Sequence, residues 1–134
     1  MVNITIAYEG DLRCTAIHSP SKSVLQTDAP VDNKGKGESF SPTDLVATAL
    51  GTCVATIMGI YAREHGIDLS GMKLEVQKIM QENPRRIGKL HTKISLPASL
   101  EAKQRKALET AAKHCPVHKS LHPDIEIIMD FEYC

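Results

Sequence analysis

Val2, Ile4 and Ile6 alternate with polar neighbours at the start of the chain, the period-two pattern of a half-buried strand. Glu9-Gly10-Asp11 supplies a turn, and a second alternating run from Leu12 to Ile17 completes a hairpin. Ser19-Pro20-Ser21-Lys22-Ser23 turns the chain again, and Val24 to Thr27 forms a short third strand in meander order. Asp28 to Phe40 is predicted to be a loop, broken by Pro30, Gly35 and Gly37. It is long for a connection, and long loops in compact domains often carry function. Ser41-Pro42-Thr43-Asp44 signals a helix start, with Ser41 as N-cap and Pro42 at the first helical position. Asp44 stands three residues after the cap, where its carboxylate can reach the cap amide and meet the positive end of the helix dipole. The helix is expected to run to His65, with Gly66 as its stop. Leu45, Val46, Leu50, Val54, Ile57 and Ile60 are among the apolar positions that cover nearly every face. A helix apolar all round is buried all round, and in so short a chain that points to help from a partner subunit.

Met72 to Met80 alternates with Leu74, Val76 and Lys78 on the same face as its ends, and Asn83-Pro84-Arg85-Arg86 turns the chain. Ile87 to Leu96 alternates again, with Leu90, Thr92, Ile94 and Leu96 on one face and Ile87, Lys89, His91 and Lys93 on the other. This is a long hairpin with one apolar face. Leu100 to His114 is an amphipathic helix that Ser99 can cap, with Leu100, Ala107, Leu108, Ala111 and Ala112 on its apolar side. Cys115-Pro116 ends it, Val117 to Leu121 forms a short helix started by the proline, and Ile125, Ile127, Met129 and Phe131 alternate as a closing strand. The pattern gives an α+β fold in one domain, residues 1–134.

Composition narrows the function. The chain has 134 residues and is 42% hydrophobic, enough for a core without disulfide staples. Sixteen Lys and Arg balance sixteen Asp and Glu, which argues against a nucleic-acid protein held by phosphate contacts and against a polybasic membrane binder. With no Trp, three Tyr and two Phe, stacking platforms for bases or sugars are poorly supported. The most apolar stretch, Val46 to Tyr61, is shorter than the ~20 residues of a membrane span and reads as a core helix. The N-terminus lacks the apolar core of a signal peptide, so a cytoplasmic location is expected. The four cysteines are then thiols, ligands or catalysts rather than structural bridges.

Cys53, in Leu50-Gly51-Thr52-Cys53-Val54, stands inside the apolar helix, where a free cysteine commonly packs as a small hydrophobe. Cys115 stands where one helix ends and Pro116 restarts the chain; a short helix beginning there is expected to lower its thiol pKa from about 8.5. Cys14 and Cys134 are not expected to be catalytic. His114, His118 and His122 are spaced by four around Cys115, which allows a zinc reading, although Pro116 interrupts a continuous helix. Gly35-Lys36-Gly37 lacks the rest of a phosphate loop. No cofactor is called for.

Two segments, in their order and spacing, resemble a known family. Phe40-Ser41-Pro42-Thr43-Asp44-Leu45-Val46-Ala47-Thr48-Ala49-Leu50-Gly51-Thr52-Cys53 is similar to the motif around the reactive cysteine of the OsmC/Ohr family (osmotically induced protein C and organic hydroperoxide resistance protein). Cys115-Pro116-Val117-His118-Lys119-Ser120-Leu121 is similar to that family's second cysteine motif, and the element order matches along essentially the whole chain. The resemblance implies an intertwined α+β homodimer and a thiol-dependent peroxidase that reduces organic hydroperoxides, and often hydrogen peroxide less well. It implies that Cys53 attacks the peroxide and becomes a sulfenic acid, and that Cys115 resolves it as a Cys53–Cys115 disulfide. A dithiol, typically of a lipoylated protein or a small molecule, would then reduce that bridge. The family holds its thiolate with an Arg oriented by a Glu. The position of that Glu is Thr43 here, with Asp44 one residue later; Arg13 is the Arg candidate, since the long loop offers only Lys34 and Lys36, and Glu38 is a further carboxylate. The competing class is a protein that binds a small apolar ligand or electrophile without turnover.

Overall fold

The computed structural model describes residues 1–134, which form two compact units, Met1–Val46 and Ala47–Cys134. Taking both, the fold is mixed α+β with two three-stranded sheets.

In the first unit β1 (Ile4–Gly10), β2 (Arg13–His18) and β3 (Val24–Asp28) form an antiparallel meander in the order β1-β2-β3. The turn between β1 and β2 bends through Gly10, Asp11 and Leu12, all in the left-handed region with φ of 88, 52 and 63°. The loop after β3 holds one 3-10 turn, Val31–Asn33. Gly35 passes so close to the Ala29 backbone that a Cβ would overlap it, so this turn accepts only glycine.

Helix α1 (Pro42–Glu64) begins with the expected capping box. The Asp44 amide donates to Ser41 Oγ at 3.0 Å, and the Ser41 amide donates to Asp44 Oδ2 at 2.9 Å. The helix ends before Gly66 (φ 65°), where the Ile67 amide returns to the Ala62 carbonyl. Burial within one chain covers only part of this helix. Only a stripe is buried, Ala47, Leu50, Gly51, Val54, Met58 and Ala62, at the three- and four-residue spacing of one helix face. Ala49, Thr52, Thr56 and Ile60 are exposed. Within one chain the apolar surface of α1 exceeds what that chain covers.

In the second unit β4 (Lys73–Gln81) and β5 (Arg86–Leu96) form the expected hairpin, and β6 (Glu126–Tyr133) adds to β5 in parallel. Leu90, Thr92, Ile94 and Leu96 line the buried face of β5 as expected, but Ile87 is buried too. The register slips between Ile79 and Met80, which pair with Lys89 and Ile87, so Gly88 is the extra residue of a bulge. The bulge reverses the alternation and turns Ile87 inward. Helix α2 (Ala102–Ala112) is capped by Glu101, not Ser99: Glu101 and Gln104 form a reciprocal box. Helix α3 (Pro116–Ser120) follows. Gly51 of α1 stands against β4, where an added Cβ would lie 2.8 Å from Val76 Cγ2.

Candidate active site

Two cysteines far apart in sequence meet in the second unit. Cys53 is half-buried on α1 and Cys115 is fully buried at the N-cap of α3, both as free thiols. Their thiols lie close enough to interact. The backbone builds the second position: Cys115 is extended (φ −67°, ψ 129°), Pro116 begins the helix, and the His118 amide donates to Cys115 Sγ at 3.4 Å. That amide contact favours the thiolate, as the sequence predicts, but it does not win. Burial pushes the Cys115 thiol above its ordinary range, and the neighbouring Cys53 thiol pushes it further; the His118 and Val117 amides only partly offset this. The expected lowering of its pKa is therefore reversed. At neutral pH Cys115 is a thiol that gives up its proton reluctantly.

Ala49, Thr52, Cys53, Ile57, Pro116 and Val117 line an open cleft of about 410 Å³ above this pair. Its wall is more apolar than its threonines imply. Thr52 Oγ1 donates to the Thr48 carbonyl and Thr56 Oγ1 to the Thr52 carbonyl, each at 2.8 Å, so the hydroxyls are spent on the helix itself.

Arg13 and its partners belong to the first unit. Arg13 lies opposite Asp28 in the β2–β3 ladder, and its guanidinium is 2.7 Å from Glu38 Oε1 and 3.7 Å from Asp28 Oδ2. Asp28 is buried and also accepts the Glu38 amide at 3.0 Å, which fixes the loop bearing Glu38. These groups, with Glu9, Cys14 and Gln26, line a polar pocket of about 640 Å³. Asp28 is the residue that sequence reasoning missed. Counting antiparallel pairs outward from the turn at Ser19–Ser23 would have set it beside Arg13. Asp44, the other sequence candidate, holds the first turn of α1, and Thr43 Oγ1 is 3.2 Å from Ser41 Oγ. No group of three or more His, Cys, Asp or Glu is gathered as a metal site needs; His114 Nδ1 is instead 2.8 Å from the Thr110 carbonyl.

The OsmC-like protein family profile matches residues 35–130. A crystallised protein of Psychrobacter arcticus 273-4, provisionally assigned to an osmotic stress and detoxification response, is 47% identical, with 98% of this chain and 96% of that chain covered and a TM-score of 0.93. The organic hydroperoxide resistance protein OsmC of Legionella pneumophila is 15% identical over 98% of this chain and 96% of that one, with a TM-score of 0.75. The corresponding figures for OhrB of Bacillus subtilis, an organic hydroperoxide resistance protein, are 16%, 98%, 98% and 0.70. No curated protein matches the chain. On the family profile and the 47% identical relative, the chain belongs to the OsmC-like protein family.

Proposed function

We propose that this protein is a cytoplasmic thiol-dependent peroxidase that reduces organic hydroperoxides, and hydrogen peroxide less well, working as a homodimer. The observation that carries the reading is the close approach of the Cys53 and Cys115 thiols beside an apolar cleft. A hydroperoxide places its apolar body in the cleft. The Cys53 thiolate attacks the terminal peroxide oxygen; the O–O bond breaks, the alcohol leaves with a proton, and Cys53 becomes a sulfenic acid. Cys115 then attacks that sulfur, releases water and closes the Cys53–Cys115 disulfide. A dithiol returns both cysteines to thiols by exchange and is itself oxidised to a disulfide.

The elevated proton affinity of Cys115 suits this order of events. A resolving thiol that stays protonated does not compete for the peroxide. In this reading Arg13, gripped by Glu38 and Asp28, stands for the family's Arg by resemblance, and Glu38 takes over the orienting carboxylate that Thr43 cannot supply. Asp44 acts by fixing the first turn of the helix that bears Cys53. The exposed apolar residues of β1 and of α1 provide the surface on which a second copy would pack.

The test is to treat the reduced protein with one equivalent of cumene hydroperoxide and map its thiols by mass spectrometry. The expected result is rapid loss of two thiols as a Cys53–Cys115 bridge that Cys53→Ser cannot form. A Cys53 that stays reduced for many minutes would overturn the reading in favour of a protein that binds an apolar ligand in the same cleft without turnover.

A further inference from the structure

Another cleft, of about 310 Å³, lies in the second unit where α3 meets the start of β6. Lys113, His118, Lys119 and His122 bring its polar groups, and Leu121, Pro123, Ile125 and Ile127 its apolar wall. No carboxylate lines it. In a chain whose charges cancel overall, four basic side chains around one hollow are a local excess. The volume is at the small end of the range for ligand sites. Two further details point to a ligand. His118 Nδ1 is withdrawn from solvent yet has no hydrogen-bond partner, an arrangement that costs free energy until a partner arrives. His122 Nδ1 accepts the Asp124 amide at 3.0 Å, which leaves Nε2–H as that ring's donor. The Asp124 carboxylate stands 3.8 Å from His122 Nδ1, on the side of the ring that already has a partner.

We propose that this cleft binds a small amphipathic anion, an aliphatic carboxylate, with its head between Lys113, Lys119 and the two imidazoles and its chain along Leu121, Ile125 and Ile127. Charge-assisted hydrogen bonds hold the head, and burial of the chain adds affinity in proportion to its length. The site is separate from the cleft over Cys53, and its occupancy requires no peroxide chemistry. It is nonetheless joined to the thiol pair, because His118, which lines it, gives its amide to Cys115 Sγ.

The experiment is calorimetric titration of the reduced protein with octanoate, octanol and inorganic phosphate at low salt. One saturable octanoate site per chain is expected, with octanol and phosphate each weaker by about tenfold or more. Lys113→Gln/Lys119→Gln should weaken octanoate by about tenfold or more, whereas Lys103→Gln, on the exposed side of α2, should leave it unchanged. Octanol binding as well as octanoate, phosphate binding as well as octanoate, an undiminished double variant, or no saturable binding would each overturn the proposal. Since no thiol is consumed, failure here leaves the peroxidase reading standing, and a dead peroxidase leaves this site standing.

Discussion

The two sheets have three strands each and opposite character. In the C-terminal sheet, β5 alternates between buried and half-buried positions, and Leu90 and Ile94 are completely shielded. In the N-terminal sheet, β1 is exposed at nearly every position, with Ile4, Ile6 and Tyr8 61, 66 and 67% accessible. Both carry the same alternating apolar code. The code therefore specifies that a strand wants a covered face, not which molecule covers it. A run of exposed Ile and Tyr on one strand is a surface on which the proposed second copy would pack, and the C-terminal sheet shows what the same pattern looks like when its cover is intramolecular.

The contrast can be broken most sharply by truncation. Leu90→Ala should cost about 2–5 kcal/mol through lost transfer energy and a cavity. Ile6→Ala should cost under about 0.5 kcal/mol in an isolated chain, but should instead weaken a dimer. Urea unfolding at two protein concentrations separates these outcomes: a concentration-dependent midpoint that Ile6→Ala lowers and Leu90→Ala lowers at both concentrations sustains the distinction. Equal, concentration-independent losses would erase it.

The polar anchor of the N-terminal unit gives the next effect. Asp28→Ala removes the acceptor of the Glu38 amide and a partner of Arg13, and should cost about 1–3 kcal/mol for the groups left unpaired. Thermal unfolding would read this loss, and an unchanged melting temperature would mean that the Arg13–Asp28–Glu38 contacts do not anchor the unit. Helix caps compare smaller terms. Asp44→Ala and Glu101→Ala should each cost about 1 kcal/mol, so a much larger loss at Asp44 than at Glu101 would mean that the start of α1 carries more than a cap.

The smallest effect is pH dependence in the C-terminal unit. Burial, with Cys53, raises the Cys115 pKa, and burial, with Glu109, raises that of Tyr133. A raised pKa in the folded state means the fold holds the proton more tightly than the unfolded chain does. The resulting stability is present in full below the ordinary thiol and phenol values, about 8.5 and 10, and is lost as pH rises through the raised ones. Denaturation profiles should therefore fall on the alkaline side, and Cys115→Ala should flatten the earlier part of that fall. A profile unchanged by the substitution would refute the assignment to Cys115.

Much of this architecture is legible in the residues themselves. The meander, the capping box at Ser41–Asp44, the Gly66 stop, the β4–β5 hairpin and the proline-led helix after Cys115 all follow from local chemistry. What escapes depends on geometry beyond the local window. Ile87 faces inward because of a bulge at Gly88, which period-two reasoning cannot anticipate. Glu101 caps α2 because the backbone enters the helix there, two residues after the serine that composition favours. The proton affinity of Cys115 escapes because the helix amide is a local feature, whereas its burial and its contact with Cys53 are tertiary. The two motif cysteines and Arg13 stand out by resemblance, but Asp28, the partner of Arg13, is hidden at the end of a strand where the sequence reads only as the start of a loop.

The tight approach of Gly51 to Val76 has a consequence for how such sequences can drift. Alanine at position 51 would gain about 1 kcal/mol of helix propensity over glycine, yet its methyl would meet Val76 Cγ2 at 2.8 Å. The two positions form a ratchet: a larger residue can enter the helix only after the strand has yielded space. Natural relatives should then carry alanine in place of Gly51 chiefly where the residue in place of Val76 is smaller than valine. A laboratory lineage forced to accept Gly51→Ala first should recover its stability through Val76→Ala.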